Sequence, residues 1–372
     1  MDTITCPHCG QQTRASAAFC TKCGRSVTQA PQPPSGPMPS PPSVANAPEA
    51  GAPPQPRLQP WTPPPREPRR WVVPVVVFVA LGILGGVLAS TLRGGGGDGN
   101  EPASNVAPGR LLFSSQRDGN WEVYVAEADG SNPRNLTNAP SNDFPADPSP
   151  DGEKIVFRTD RDGNFEIYVM NADGTDPQRL TTNPAEDFWP TWSPDGERIA
   201  FSSKRNGNDD IFIMDADGSN VRQITDDPAD DRNPSFSPDG TRLVFESKRG
   251  GEFDVYMMGI DGGSVTRLTP DAGVDRNPVW SPRGDLIAFT SLRDGNEEIY
   301  TMRLDGSEQT NITRNPAEDS YFSFTSDGNH IVFQTARSGA DDIWIMESDG
   351  RNPTALIRNP APDHVPRWMS PA

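Results

Sequence analysis

The chain has 372 residues and a formal net charge of −18 at pH 7, with 41 prolines and four cysteines. Residues 1 to 107 hold eight Lys/Arg and five Asp/Glu, so residues 108 to 372 hold the remaining 25 and 46 and carry the acidity, at −21. A region that negative repels a phosphate backbone, which excludes nucleic acid as an expected partner and favours cations or basic protein surfaces.

All four cysteines precede residue 24. Cys6-Pro7-His8-Cys9-Gly10 and Cys20-Thr21-Lys22-Cys23-Gly24 form two CxxCG knuckles. Cys6, Cys9, Cys20 and Cys23 together would complete the tetrahedral shell of a structural Zn²⁺, with no open position for a substrate. Residues 1–27 are therefore expected to be a zinc ribbon. The alternatives are exposed thiols or a redox pair, or His8 replacing one cysteine. Residues 28–70 are rich in Pro, Ala, Ser and Gln. Such a composition forms no core, and a disordered, polyproline-like spacer is expected.

Residues 71–92 are 22 uncharged, mostly apolar residues. As a helix they would span roughly 33 Å, the thickness of a bilayer core. Arg66, Arg69 and Arg70 stand before this stretch and Arg93 alone just after it. The positive-inside rule then predicts a single-pass protein of the bacterial cytoplasmic membrane, N-terminus in the cytoplasm and everything after residue 93 outside. A cleaved signal peptide is the rival reading. Gly82 and Gly86 form a GxxxG match that could pair two such helices. Residues 93–107, with their Gly run, are expected to be a flexible tether.

From residue 108 the sequence repeats every 44 residues: Asp129, Asp173, Asp217, Asp261, Asp305 and Asp349 each open an Asp-Gly turn, giving six copies. Within one copy, Lys154–Arg158, Glu166–Met170, Gln178–Thr181 and Trp189–Trp192 are short β-rich runs separated by turn residues. Four strands per copy make a propeller blade, so residues 108–372 are expected to be an all-β, six-bladed propeller. The first copy lacks its aromatic strand and the last residues, Val365 to Ser370, supply only that strand, so the two ends should complete one blade and close the ring. The recurrent aromatics Trp192, Phe236, Trp280, Phe324 and Trp368, and Tyr168, Phe212, Tyr256, Tyr300 and Trp344, are expected between blades.

These residues resemble the TolB-like, PD40 class of WD40-like propeller repeats, with pattern PxWSPDGxxIAFxSxRxGxxxIYVMxxDGxxxxxLT. The stretch PTWSPDGERIAFSSKR from Pro190 to Arg205 follows it almost letter for letter. The resemblance implies the fold. It implies no Tol-Pal role, because a cysteine-rich head and an apolar span precede the propeller here.

Alternating strands put two periodic groups on one face. One is the arginine series Arg117, Arg161, Arg205, Arg249, Arg293 and Arg337. The other is the aspartate series Asp143, Asp187, Asp231, Asp275, Asp319 and Asp363. Either they pair across or between blades as scaffold, or the carboxylates ring the channel mouth and hold Ca²⁺, Mg²⁺ or a basic group. Directly after each Asp the copies diverge: Phe144, Phe188 and Trp189, Arg232, Arg276, Tyr321, His364. Positions that differ from blade to blade on a shared face are free to recognise something, and aromatic and Arg side chains are common interface anchors.

No GxSxG motif occurs, and the propeller holds two histidines, His330 and His364, at different repeat positions. The expectation is a non-catalytic binding protein, taking a protein, peptide or glycan ligand outside the membrane, with the ribbon offered to a cytoplasmic partner. The alternatives are an extracytoplasmic hydrolase or lyase using funnel carboxylates, and a signalling device coupling the propeller to the ribbon.

Overall fold

The structure, a computed structural model, describes residues 3–5, 12–14, 106–270 and 273–371. The chain divides into two units, Met1–Ser90 and Thr91–Ala372. In the first, Thr3–Thr5 pairs antiparallel with Gln12–Arg14, Thr5 opposite Gln12. The cysteines themselves, the spacer at 28–70, the apolar stretch at 71–92 and the tether to residue 105 lie outside the described residues. Among the described residues, no helix is long and apolar enough to cross a membrane.

The second unit is six four-stranded antiparallel sheets, and in five of them each strand is hydrogen-bonded to its sequence neighbour. The innermost strands of blades 2 to 6 are Asp143–Pro148, Asp187–Trp192, Asp231–Phe236, Asp275–Trp280 and Asp319–Phe324. Blade 1 is closed by the chain end: Asp363–Met369 pairs with Arg110–Ser115, Asp363 opposite Ser115 and Trp368 opposite Leu111. The array therefore has no open inter-blade edge, as the truncated first copy predicts.

Second strands are buried on both faces and read as continuous apolar runs. In Arg198–Ser203, Ile199 and Phe201 pack with Val156, Ile167 and Val169 of the preceding blade, while Ala200 packs with Phe236 and Phe245 of the next. Period-two alternation thus assigns each side chain to one of two inter-blade seams. The phenylalanine at this position, in all six blades, is fully buried. The recurrent aromatics occupy the same seams, for example Trp192 and Phe212. The outermost strand is shorter than the sequence run: in blades 1 to 5 it has two residues, such as Gln178–Arg179. Pairing stops there because the Ile167 amide donates to the Thr181 hydroxyl (2.9 Å) instead of to a backbone carbonyl.

Candidate functional site

Local backbone geometry begins the site. Each innermost strand opens with the periodic Asp and then slips register, as between Phe188 and Thr191 in blade 3. At the slip the third residue takes a left-handed conformation: Trp189 (φ 47°), Asn233 (56°), Asn277 (51°), Tyr321 (39°) and Val365 (52°). Proline follows in four of these five, at 190, 234, 278 and 366, and cannot donate a ladder bond. A positive φ is ordinary for Asn and costly for Trp, Tyr and β-branched Val, so the surrounding blades must hold these three in place. Residues expected on loops between blades are therefore in the innermost strands, at bulges beside the central channel.

The periodic Asp and Arg residues are resolved by burial. All six Asp residues are 0 % exposed. Each meets the arginine of its own blade: Arg161–Asp143 at 3.4 Å, Arg205–Asp187 at 3.1 Å, Arg249–Asp231 at 2.5 Å, Arg293–Asp275 at 3.1 Å, Arg337–Asp319 at 2.5 Å and Arg117–Asp363 at 2.9 Å. Pairing is within blades, not between them. The same guanidiniums lie over aromatic rings, Arg205 being 4.6 Å from the Phe212 centroid. Burial pushes Asp143, Asp187, Asp231 and Asp363 up, and Asp319 to about 6, against the pull of hydroxyls and the paired arginine. These carboxylates are enclosed in clips, not displayed at the channel mouth. Among the described residues, no group of three or more His, Cys, Asp or Glu side chains is placed to hold a metal ion.

What the channel does display is the non-uniform set. A cavity of about 340 Å³ is lined by Phe144, Trp189, Asn233, Asn277, Tyr321 and His364, with Arg158, Asp147 and Arg367 among the charged groups. Over blades 1 to 3 the rings form a continuous arc: His364 to Trp121 at 4.4 Å, then Phe144 (5.6 Å), Phe165 (6.2 Å), Phe188 (5.6 Å) and Trp189 (5.2 Å). The other half is polar. Arg232 bonds Glu246 at 2.8 Å and lies 4.1 Å from the Phe253 centroid; Asn233 donates to Asn277 at 2.7 Å; Arg276 sits 5.2 Å from the same Phe253 ring.

Charges inside the channel are perturbed by desolvation first. Burial lifts Asp147 to about 6 against the pull of Arg367, and lifts Glu246 against Arg232. Burial lowers Arg158 to about 10, which leaves it a cation at neutral pH. Of the expected recognition residues, Phe144, Trp189, Tyr321 and His364 line the cavity, Phe188 belongs to the arc, Arg232 lies 5.3 Å from the Trp189 centroid at the arc's end, and Arg276 lies beyond it on Phe253. Sequence reasoning missed Trp121, Phe165, Phe253, Arg158 and Glu246. A signal was there: the copies of position 158 read Ser114, Arg158, Ser202, Glu246, Thr290 and Gln334, a column whose charge changes from copy to copy inside a strand of buried apolar residues.

The TolB beta propeller domain model matches residues 182–292 and 271–371, and the chain belongs to that family. A Tricorn protease N-terminal beta propeller domain model matches 123–208, and a zinc-ribbon domain model matches 5–27. TolB from Acinetobacter baumannii superposes with a TM-score of 0.62 at 24 % identity over 70 % of this chain and 67 % of its own. A putative TolB from Agrobacterium tumefaciens gives 0.56 at 25 % over 72 % and 94 %. Hydrazine synthase from Kuenenia stuttgartiensis gives 0.59 at 15 % over 71 % and 48 %, a likeness of fold. No curated protein matches the chain in sequence.

Proposed function

We propose that this chain is a membrane-anchored binding protein of the bacterial envelope, non-catalytic, with the propeller outside the cytoplasm and its channel mouth as the ligand site. The observation that carries the reading is the contrast between a scaffold repeated in six blades and a channel wall that changes around the ring, with only blades 4 and 5 sharing the same Arg-Asn-Pro. Three of its side chains, Trp189, Tyr321 and Val365, are held at positive φ. Strain of that kind persists where the surroundings over-determine it, and it gathers at binding sites. Asp147, which lines the channel, and Glu246, which bonds Arg232, each face an arginine, which suits binding better than acid–base chemistry.

Anchoring rests on the apolar stretch 71–92 and the arginines before it, and puts the ribbon in the reducing cytoplasm. There Cys6, Cys9, Cys20 and Cys23 would hold a structural Zn²⁺, in line with the zinc-ribbon match over residues 5–27. The ribbon would then present a surface to a cytoplasmic protein partner. Two measurements on the full chain in native membranes test this. Thiol labelling with an impermeant reagent should reach a cysteine introduced at Ser131, an exposed turn residue, in intact cells. A photo-crosslinking residue at position 189 should capture a ligand, and one at Val221, on the outer rim, should not. Equal crosslinking at both positions would sink the channel as the site.

A further inference from the structure

We propose that the channel mouth binds a carboxylate carried by an acidic peptide segment, with Arg158 as its principal partner and Arg276 across the channel as a second. The inference deepens the binding reading above and rests on it.

Arginines in this propeller interior come with a counter-charge. The six clip arginines have their aspartates, Arg232 has Glu246, and Arg367 faces Asp147. Arg158 and Arg276 depart from that rule: among the described residues no carboxylate lies within ion-pair distance of either, and Glu246, already bonded to Arg232, reaches Arg276 only through longer-range charge. The buried Nε of each has no hydrogen-bond partner. Beside Arg276, its cross-strand neighbour Thr290 holds a buried hydroxyl that is also unpartnered. Blades 2 and 5 face each other across the ring; Arg158 itself lines the cavity, and Arg276 directly precedes the cavity-lining Asn277 on the opposite side.

The packing of Arg158 explains what it offers. Its guanidinium carbon lies 4.8 to 5.5 Å from the centroids of Phe144, Phe165, Phe188 and Trp189. Rings attract the faces of a guanidinium and leave its N–H edge unused. That edge is the group that takes a carboxylate with two parallel hydrogen bonds. Glu186 and Tyr321 act on Arg158 only through longer-range charge and satisfy none of its donors. A desolvated cation with no counter-ion costs stability, and a fold keeps such a group where a ligand completes it.

A peptide fits better than an acidic sugar. Sugar hydroxyls need acceptors, and the carboxylates at this mouth already serve arginines, whereas the Asn233–Asn277 bond leaves the Asn277 Nδ2 as donor and the Asn233 Oδ1 as acceptor for a peptide backbone. The surrounding surface is strongly acidic and repels an acidic ligand everywhere else, so its binding has to come from the two arginines at the mouth.

The experiment uses the full chain in detergent micelles, with fluorescence anisotropy of a labelled hexapeptide Gly-Phe-Glu-Glu-Phe-Gly, its Gln-for-Glu counterpart, and oligogalacturonate as competitor. The Glu peptide should bind about tenfold tighter than the Gln peptide. Arg158→Gln should erase that preference, and Arg158→Lys, which keeps charge without the fork, should retain part of it. In the absence of peptide, Arg158→Gln should leave the propeller's unfolding temperature unchanged or higher. Equal binding of the two peptides, no binding at millimolar concentration, tighter binding of oligogalacturonate, or a fall of about 5 °C or more in both variants would each overturn the proposal. Crosslinking from position 189 without any carboxylate preference would leave the channel reading intact and remove this one.

Discussion

An Arg–Asp clip takes a carboxylate out of water, and the fold tolerates this only while the guanidinium stays beside it. Asp187→Asn keeps the shape and removes the charge, leaving Arg205 without its counter-ion. It should cost roughly 3 kcal/mol in urea unfolding of the propeller transition. Lys204 and Glu186 flank the same clip at 3.0 Å, but both are nearly half exposed, 45 % and 43 %. Glu186→Gln should therefore cost less than about 0.5 kcal/mol. Equal losses would mean that proximity, not burial, governs these pairs. The 18-residue spacing of Asp and Arg is readable in the sequence as a shared face. Burial is not readable, and burial is what turns a candidate ligand ring into six internal clips. Arg158 stayed hidden for the opposite reason: it lies in a strand whose neighbours are core residues, and only its divergence between copies marks it.

Turns join the blades as well as the strands. The glycine of each Asp-Gly turn packs against the end of the preceding blade's outermost strand. At Gly174 (φ 89°) an added Cβ would lie 2.6 Å from the Leu136 carbonyl oxygen. Gly163 has a similar positive φ of 102° with nothing within 4 Å of the added carbon. Both alanine variants pay for backbone strain, and Gly174→Ala adds a collision with the preceding blade. It should be less stable than Gly163→Ala by roughly 2 kcal/mol in thermal or urea unfolding. A difference near zero would mean that the blade seam yields freely. Turn chemistry and the 44-residue period make the strands, the blade count and the closing strand legible. The bulge was legible only in part, since Pro190, Pro234, Pro278 and Pro366 mark its place but not the φ of the residue before. Without that bulge, Trp189 and Tyr321 read as loop residues instead of channel wall.

Charge acts on the whole molecule in two opposed ways. Carboxyls in turns are held below their usual range by hydroxyl and backbone donors: Asp151, Asp195 and Asp327 are lowered, and Asp239 falls to about 2. A lowered group contributes stability above its unfolded pKa near 4 and loses it as pH falls through the folded value. Carboxyls inside the blades are raised by burial, Asp147, Asp210 and Asp319 each to about 6. Their contribution is complete below the unfolded pKa and disappears as pH rises through about 6. Together the two sets place the stability maximum near about pH 5, and the excess negative charge at neutral pH pushes the same way. The propeller should therefore melt several degrees higher at pH 5 than at pH 7.5. Asp210 isolates the cause. Its counterparts Glu166 and Asp254 face Arg179 and Arg267, whereas Asp210 is met by the neutral Gln223 at 3.0 Å, with Asp231 and Asp226 adding repulsion. Asp210→Asn should accordingly stabilise the propeller at pH 7.5 by roughly 2 kcal/mol, change little at pH 4, and flatten the decline between them. A variant destabilised at pH 7.5 would show that Asp210 is held as a needed anion, and the acidic interior would have to be read as functional instead of tolerated.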